Sequence, residues 1–312
     1  MTLNRSRVYI NETPNHFGGY RPRREASLYS VLGVPYDSTT SFRPGQRFAP
    51  ESIRVSSAYI EFYSMHAGLD VDNIPIYDEG DLAVVPGDAH ATISRLAEVI
   101  SSLAEEGRVP IILGGEHTIT MGVVSGLRKV LGSFCMIVFD AHFDLREEYL
   151  GSRLCHATFM RRVIENVRPE KIYYIGVRGF SEGERRLADS VDYIEYSSPL
   201  EISRLGEENI AAVVRRSVAP CKRLYISIDL DVLDPAFAPG VGNPEPLGLS
   251  ALSLVSLLHE IIDERLIGLD VVELSPPFDQ GGVTSILAAR LVVEAVAAHH
   301  VKYARRKHTE KS

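Results

Sequence analysis

The chain has 312 residues, 45% hydrophobic and 24% charged, which is typical of a globular protein with a large core. Its formal net charge of −8 argues against a nucleic-acid partner, because a phosphate-binding surface carries an excess of basic residues. The chain has three cysteines without paired spacing, which argues against a disulfide framework. It has no signal core and no run of 18 apolar residues, which argues against a membrane span. Together these features favour a cytoplasmic enzyme.

In chain order, the first 27 residues are polar and predict an irregular arm. Short apolar runs then predict eight strands, at 28–34, 75–77, 110–113, 134–139, 172–175, 192–195, 224–228 and 267–272. Helical patterns alternate with these runs and predict eight helices, at 49–63, 90–106, 118–130, 156–166, 182–189, 205–219, 250–264 and 281–302. A charged tail follows at 303–312.

This alternation of strands and helices predicts an α/β fold built from parallel βαβ units. The strand candidates are apolar throughout, which indicates a sheet covered by helices on both faces. No repeat, linker or low-complexity break divides the chain, so we expect a single domain over residues 1–312. Ligands of open parallel sheets bind beyond the carboxyl ends of the strands, and candidate functional residues are therefore sought there.

Two acidic clusters directly follow buried strand candidates. Asp140-Ala-His142-Phe-Asp144 follows the run at 134–139, and Asp229-Leu-Asp231 follows the run at 224–228. A strand-end residue and the residue two positions later project to the same side, because the strand period is two. Carboxylates placed this closely repel one another, and each also pays a desolvation cost. The clusters therefore predict a site for a pair of divalent cations.

A histidine at a third strand end completes the predicted metal site. The segment Gly114-Gly-Glu-His117 follows the run at 110–113. Together the predicted ligands are His117, Asp140, His142, Asp144, Asp229 and Asp231. Four carboxylates and two imidazoles favour an octahedral metal such as Mn²⁺ over thiolate-type zinc. A single strand-end Asp or His is more often a capping or structural residue, but that role does not require two such clusters.

At these residues the sequence is identified as a member of the ureohydrolase family, which includes arginases and agmatinases. The segments that carry the resemblance are Gly114–His117, Asp140–Asp144, Ser227–Gly240 and Val271–Pro277. The resemblance implies a three-layer αβα fold with an eight-stranded parallel sheet, as in arginases and deacetylases. It also implies a homo-oligomer (trimer or hexamer), two manganese ions per chain and hydrolysis of a guanidino group to urea by a metal-bridging hydroxide.

The resemblance also distributes the ligands between the two ions. One manganese would be held by His117, Asp140, Asp144 and Asp229, and the other by Asp140, His142, Asp229 and Asp231, so that Asp140 and Asp229 bridge. This sequence departs from the usual family pattern at four positions, none of them a ligand. Glu116 replaces Asp, Ala157 replaces Gly, and Asn243 and Leu247 replace Thr and Gly.

Three residues are candidates for handling the substrate and its protons. Glu273 follows the run at 267–272, where a carboxylate can accept two parallel N–H bonds from a guanidinium; the alternative is a solvent-facing glutamate. His156 corresponds to a proton shuttle of the family, and its unperturbed pKa of about 6.5 suits that work at neutral pH. The alternative is an ordinary residue at a helix start. Asp144 or His156 would protonate the leaving amine.

The stretch after the first acidic cluster bears on the substrate. Arg146 stands where arginases have an asparagine, and Glu147 and Glu148 would favour a cationic tail. We therefore expect agmatine, cleaved to putrescine and urea for polyamine biosynthesis, with Arg146 and Asn243 among the substrate-binding residues. Alternatively, Arg146 binds a substrate carboxylate, or these charges form a solvated loop face. The competing functions are guanidinobutyrase, aminopropylagmatine ureohydrolase, arginase, a mononuclear deacetylase and a non-catalytic regulatory relative.

Overall fold

A computed structural model describes residues 5–309, so the first four residues of the arm and the last three of the tail lie outside the described residues. Its strands are β1 (Ile10–Asn11), β2 (Tyr29–Gly33), β3 (Tyr63–Ser64), β4 (Leu69–Asp70), β5 (Ile76–Leu82), β6 (Val109–Leu113), β7 (Cys135–Phe139), β8 (Ile172–Ile175), β9 (Ile194–Ser197), β10 (Leu224–Asp229) and β11 (Leu266–Val272). Its α-helices are α1 (Ala49–Ser57), α2 (Ala89–Glu105), α3 (Thr120–Leu131), α4 (Phe159–Asn166), α5 (Glu182–Ser190), α6 (Pro199–Leu205), α7 (Glu207–Ser217), α8 (Ala251–Ile261) and α9 (Val283–Thr309).

Nine strands form one sheet in the order β1-β5-β2-β6-β11-β10-β7-β8-β9. The eight strands from β5 to β9 in this order pair in parallel, and β1 adds to the edge antiparallel to β5. Successive side chains of a strand point to opposite faces. On β7, Ile137 and Phe139 accordingly belong to one apolar core, whereas Met136 and Val138 belong to the other.

Helices cover both faces of the sheet. Apolar side chains of α1, α7, α8 and α9 pack on one face, and those of α2, α3, α4 and α5 pack on the other. The expected three-layer αβα architecture with eight parallel strands is therefore confirmed. Helix α9 is long and apolar enough over Gln280–Arg306 to cross a membrane, but 67% of its most apolar window is buried in the protein. Its packing against α1 and α8 makes it a core helix.

The eight predicted strands correspond to the eight parallel strands, and the differences among the helices have local causes. The helix predicted at 205–219 corresponds to α7, which begins at Glu207 because Gly206 adopts φ 83°. Helix α6 was not predicted, and Ser198 caps its start in a reciprocal capping box with Glu201. Helix α4 begins at Phe159 rather than 156, since the chain first makes a turn in which Thr158 donates its N–H to Cys155.

The arm is not wholly irregular. It contributes β1 to the sheet edge and buries Phe17, whose N–H donates to Asp78. Arg24 fastens the arm through ion pairs of 2.8 Å with Glu79 and 2.6 Å with Glu106.

The expectation of no disulfide is wrong. Cys135 at the start of β7 is bonded to Cys221, which precedes β10, and Cys155 is the free, buried cysteine. The two half-cystines are 86 residues apart in sequence, so spacing gave no sign of the pair. They meet because β7 and β10 are neighbours in the sheet, with Cys135 opposite Leu224.

Arg54 of α1 is an internal cation that ties α1 to β5. Its side chain is 0% exposed and donates to both carboxylate oxygens of Asp78, at 2.8 and 3.0 Å, and to Asp81 at 2.6 Å. Removing one partner of such a pair leaves the other charge buried and uncompensated.

We expect Arg54→Met to lower the free energy of unfolding by about 3–5 kcal/mol, measured by urea denaturation. Arg186→Met is the matched control, because Arg186 pairs with Glu182 where both side chains are more than 70% exposed. The control should change stability by less than about 1 kcal/mol. Equal losses in the two variants would contradict the importance of the buried pair.

Candidate metal centre and adjoining pocket

Four neighbouring strands bring the predicted site residues to one edge of the sheet. His117 follows β6, Glu273 follows β11, Asp229 ends β10 and Asp140 follows β7. These strands are adjacent in the order β6-β11-β10-β7. Because they are parallel, their carboxyl ends share one edge, and the residues that follow them converge.

Three aspartates surround one nitrogen of His117. The Nδ1 atom of His117 lies 3.2 Å from Asp140 Oδ2, 3.4 Å from Asp144 Oδ2 and 3.1 Å from Asp229 Oδ2. All four residues are buried. This group contains the four residues expected to share the first metal ion.

A second group lies beside the first and shares Asp140 with it. His142 Nδ1 lies 3.0 Å from Asp231 Oδ2 and 3.6 Å from Asp140 Oδ1. Asp229 is placed with the first group, and its Oδ1 accepts the N–H of Asp231 at 2.8 Å. The geometry thus brings all six predicted ligands together and gives Asp140 a shared position. A bridging role for Asp229 stays a prediction.

The electrostatics of this carboxylate–imidazole cluster favour added positive charge. Burial opposes protonation of His117, yet the nearby carboxylates of Asp140, Asp144 and Asp229 hold its pKa well above the usual value. Burial likewise opposes protonation of His142, but Asp231 and Asp140 raise its pKa well above the usual value. Burial and the charge of Asp140 raise the pKa of Asp144 to about 7.

Two buried atoms in the cluster, His117 Nδ1 and Asp140 Oδ2, make no hydrogen bond within residues 5–309. Both are potential metal-ligand atoms, and they face each other at 3.2 Å. Imidazole nitrogens and carboxylate oxygens are suitable ligands for divalent metals. The residues therefore fit a site for divalent cations.

A hydrogen-bonded chain behind the cluster orients His117. Ser227 Oγ donates to Asp270 Oδ1 at 2.6 Å and therefore accepts from His117 Nε2, 2.8 Å away. Thr120 also donates to Asp270, at 2.7 Å, and Tyr225 donates to the same carboxylate. This arrangement leaves Nδ1 of His117 with a free lone pair directed at the aspartates. Sequence reasoning missed Asp270, although a charged residue inside an apolar strand is a signal.

Glu273 is a buried wall of the cavity, so its alternative interpretation as a solvent-facing residue is wrong. Its side chain is fixed by the N–H of His117, at 2.7 Å from Oε1, and by Gln46 Nε2, at 3.0 Å from Oε2. Burial and the nearby Glu116 raise the pKa of Glu273 to about 8. Gly242 is required here, since a Cβ at this position would lie 2.6 Å from Glu273 Oε2.

Glu116 has a positioning role that the sequence did not reveal. Its buried carboxylate accepts the N–H of Thr39 at 2.8 Å and the hydroxyl of Thr118 at 2.5 Å. Its own N–H donates to Tyr36 at 2.8 Å. Glu116 therefore holds the 36–41 loop beside the strand end that carries His117.

A polar cavity adjoins the cluster. It is lined by His142, Asp144, Arg146, Tyr149, His156, Ala157, Gly179, Glu184, Asp229, Asp231, Asn243 and Glu273. His156 is buried, and its Nε2 lies 2.9 Å from Ser41 Oγ. Burial and the nearby His142 lower the pKa of His156 to about 4. The expectation of a pKa near the unperturbed value is therefore wrong, and His156 is neutral at pH 7.

The predicted specificity residues separate into two groups. Arg146 lines the cavity, with Nε 3.5 Å from Glu184 and its guanidinium 5.0 Å from the ring centroid of Tyr149. Glu147, in contrast, forms ion pairs with Arg153, Arg161 and Arg162. Neither Glu147 nor Glu148 is among the residues that line this cavity. The expectation that these two glutamates attract a cationic tail is not supported by their placement.

Asn243 does line the cavity. Its buried Oδ1 has no hydrogen-bond partner in the described part of the chain. Leu247, the neighbouring departure from the family pattern, is 81% exposed and lies outside the cavity lining. Of the two substitutions in this loop, only Asn243 is thus placed to contact a substrate.

Known proteins resemble this chain in sequence and in overall fold. The Arginase family model matches residues 28–298. The chain is 34% identical to the agmatinase of Halalkalibacterium halodurans over 276 residues, which are 88% of this chain and 93% of that protein. It is 34% identical to the proclavaminate amidinohydrolase of Streptomyces clavuligerus over 288 residues, 90% and 89% of the two chains. The solved agmatine ureohydrolase of Thermoplasma volcanium has a TM-score of 0.83 and 32% identity, with 95% and 97% of the chains covered.

We expect Ser227→Ala to weaken Mn²⁺ binding by about 10- to 100-fold, because His117 loses the acceptor that orients it. Calorimetric titration of the metal-depleted protein measures the affinity. Ser190→Ala is the control, since Ser190 is exposed and its hydroxyl bonds only to the backbone of α5. Equal Mn²⁺ affinities in the two variants would show that the His117–Ser227–Asp270 chain does not orient the ligand.

Proposed function

This chain belongs to the arginase family, and from that premise we propose that it hydrolyses agmatine to putrescine and urea with two manganese ions per chain. The observation that carries the proposal is the position of Glu273, a buried carboxylate in the wall of a cavity that also exposes the carboxylate–imidazole cluster. Relatives in the family are metal-dependent hydrolases of guanidino or amidino compounds. A nucleophile site therefore adjoins a carboxyl group that a bound guanidinium would keep ionised, because the positive charge of the substrate lowers the pKa of Glu273.

The two metal ions would be held by His117, Asp140, Asp144 and Asp229 in one group and by His142 and Asp231 with Asp140 in the other. Bound cations of this kind supply an activated water as the nucleophile, since coordination lowers the pKa of water from 15.7 to about 7. The chain's own residues then have to orient the guanidinium and handle the protons.

Glu273 and Asn243 suit recognition of a guanidinium, which carries only hydrogen-bond donors. Each oxygen of Glu273 accepts one hydrogen bond from the protein, so each retains capacity for a substrate N–H. The two protein donors fix the plane of the carboxylate before substrate arrives. The unpartnered Oδ1 of Asn243 offers a further acceptor. Together these groups would hold the planar cation with its carbon facing the cluster.

Asp144 and His156 are placed to handle protons. Asp144 lines the cavity beside the cluster, so a carboxylate oxygen not taken up by a metal ion could pass a proton to a leaving amine. His156 is neutral at pH 7 and can accept a proton at a free ring nitrogen, while Ser41 fixes its orientation. In this proposal Asp144 or His156 protonates the leaving amine.

Agmatine is supported by the several relatives that are named agmatinases, at 32–34% identity. Relatives named aminopropylagmatine ureohydrolase and guanidinobutyrase match with similar identity. One observation favours a second candidate, a guanidino carboxylic acid. Arg146 keeps 40% of its side chain exposed in a cavity-lining position, where its guanidinium could bind a carboxylate in a bidentate manner. A relative from Pseudomonas aeruginosa is named as a guanidinobutyrase, after a guanidino acid.

The remaining alternatives fit the residues less well. A mononuclear deacetylase would not need two neighbouring ligand groups joined by Asp140. A non-catalytic relative would not be expected to keep all six predicted ligands together with Glu273. A cytoplasmic location, a single domain and assembly into trimers or hexamers stay predictions.

Glu273→Gln should retain two Mn²⁺ per chain and reduce kcat/KM for agmatine by about 100- to 1,000-fold, the loss typical when one group that stabilises charge is removed. Asp231→Ala should lose metal and activity together. Metal analysis and a urea-release assay on the same preparations separate these effects. Near-normal turnover in Glu273→Gln would remove its proposed role.

A urea-release assay with agmatine, arginine, guanidinobutyrate and aminopropylagmatine should give the highest kcat/KM for agmatine. Arg146→Met should leave turnover of agmatine within a few-fold of the parent, because agmatine has no carboxylate for Arg146 to bind. Arg153→Met is the control, since Arg153 is 63% exposed and outside the cavity lining. If only carboxylate-bearing substrates react and Arg146→Met abolishes that reaction, the agmatine assignment is wrong.

A further inference from the structure

We propose that His66, His259 and Glu294 form a zinc-binding site that is separate from the carboxylate–imidazole cluster. One donor atom from each residue lies within 4.8 Å of the other two. The three residues come from three segments of the chain. His66 is in the turn between β3 and β4, His259 is near the end of α8, and Glu294 is on α9. None of them lines the cavity beside the cluster.

The pair of helix residues is already fixed in position. His259 Nε2 lies 2.8 Å from Glu294 Oε2, and the carboxylate of Glu294 is 7% exposed. Ser64 donates to the same oxygen at 2.5 Å, which ties the hairpin to α9. Lys302 donates to the carbonyl oxygen of His259 at 2.7 Å and so binds α9 to α8. Little reorganisation of these two ligands is therefore needed.

His66 supplies the adjustable ligand. Its ring is stacked on that of His259, with centroids 4.9 Å apart and an interplanar angle of 17°. His66 is exposed and belongs to a turn, so a small rotation can direct a nitrogen to the ion without breaking a helix. Zinc bonds of about 2.0–2.1 Å in a tetrahedral site place ligand atoms roughly 3.3 Å apart. His259 Nε2 and Glu294 Oε2 would move apart from 2.8 Å to about this distance, exchanging their hydrogen bond for bonds to the ion, and His66 would move in from within 4.8 Å.

The donor set favours zinc over the hard metals. Two imidazole nitrogens and one carboxylate oxygen form a common zinc set that leaves a fourth position for water. Mg²⁺ and Mn²⁺ favour carboxylate, carbonyl and water oxygens. Arg290 lies 3.5 Å from Glu294 Oε1 and partly neutralises that carboxylate. We therefore expect weaker binding than at a four-ligand structural zinc site.

Zinc at this position would link the β3–β4 hairpin, α8 and α9. An ion that binds the folded chain and not the unfolded chain stabilises it by mass action. The alternative is a plain His259–Glu294 ion pair with a histidine stacked on it, which would require no metal and would show no zinc-dependent stabilisation.

The test uses the full-length protein with its Mn²⁺ loaded first. Calorimetry with ZnCl₂ should detect one further equivalent per chain, while bound Mn²⁺, followed by metal analysis, stays unchanged. Zinc should also raise the Tm by several degrees. In His66→Ala, zinc affinity should fall at least tenfold and the Tm shift should disappear. His66 is exposed, so this variant should fold as the parent does.

His90→Ala is the matched control, because His90 is also an exposed histidine but lies outside the three-residue site. It should bind zinc as the parent does. Three outcomes would overturn the proposal: no additional zinc equivalent, displacement of Mn²⁺ in place of addition, or the same affinity and Tm shift in His66→Ala as in His90→Ala. Since none of these measurements uses turnover, the result is independent of the substrate assignment.

Discussion

Buried negative charge at the ends of two neighbouring parallel strands, β7 and β10, is the constraint on which the rest of the structure depends. Asp140, Asp144, Asp229 and Asp231 are all buried, and only His117 and His142 offset them within the cluster. Like charges at such distances raise one another's pKa, and burial adds to the effect. The geometry therefore favours divalent cations, which remove the repulsion and the desolvation cost together.

Two other buried carboxylates have hydrogen-bond or ion-pair partners within the protein. Asp270 receives hydrogen bonds from Ser227, Thr120 and Tyr225, and Asp78 is paired with the internal guanidinium of Arg54. These groups are satisfied by the protein itself, so they stabilise and orient neighbouring residues. Asp140 Oδ2, by comparison, has no hydrogen-bond partner among the residues that the structure describes. This unpartnered oxygen marks Asp140 as a candidate ligand and distinguishes it from the positioning carboxylates Asp270 and Asp78.

One side of the cavity is fixed by hydrogen bonds within the protein, and another side is formed by a half-buried loop. Glu273 directly follows strand β11 and accepts hydrogen bonds from two protein donors. The proposed position for a guanidinium is therefore preorganised. Arg146 and Tyr149 lie on the loop after the acidic cluster and are half-buried. In the proposed function, Glu273 would hold the guanidinium while this loop contacts the rest of the substrate.

The sequence by itself determined the eight parallel strands, because each is a continuous apolar run. It also indicated the six cluster residues, because strand periodicity places Asp140 with His142 and Asp229 with Asp231, and because His117 and Asp144 lie in loops at the same strand ends. It did not determine that β10 and β11 lie between β6 and β7, which is what brings His117 to the aspartates and Cys135 to Cys221. The sequence also did not show that Asp270 orients His117 through Ser227, or that Glu147 forms ion pairs with three arginines. It did not show that burial lowers the pKa of His156. Only the tertiary structure decided these features, because each depends on which distant side chains share a buried volume.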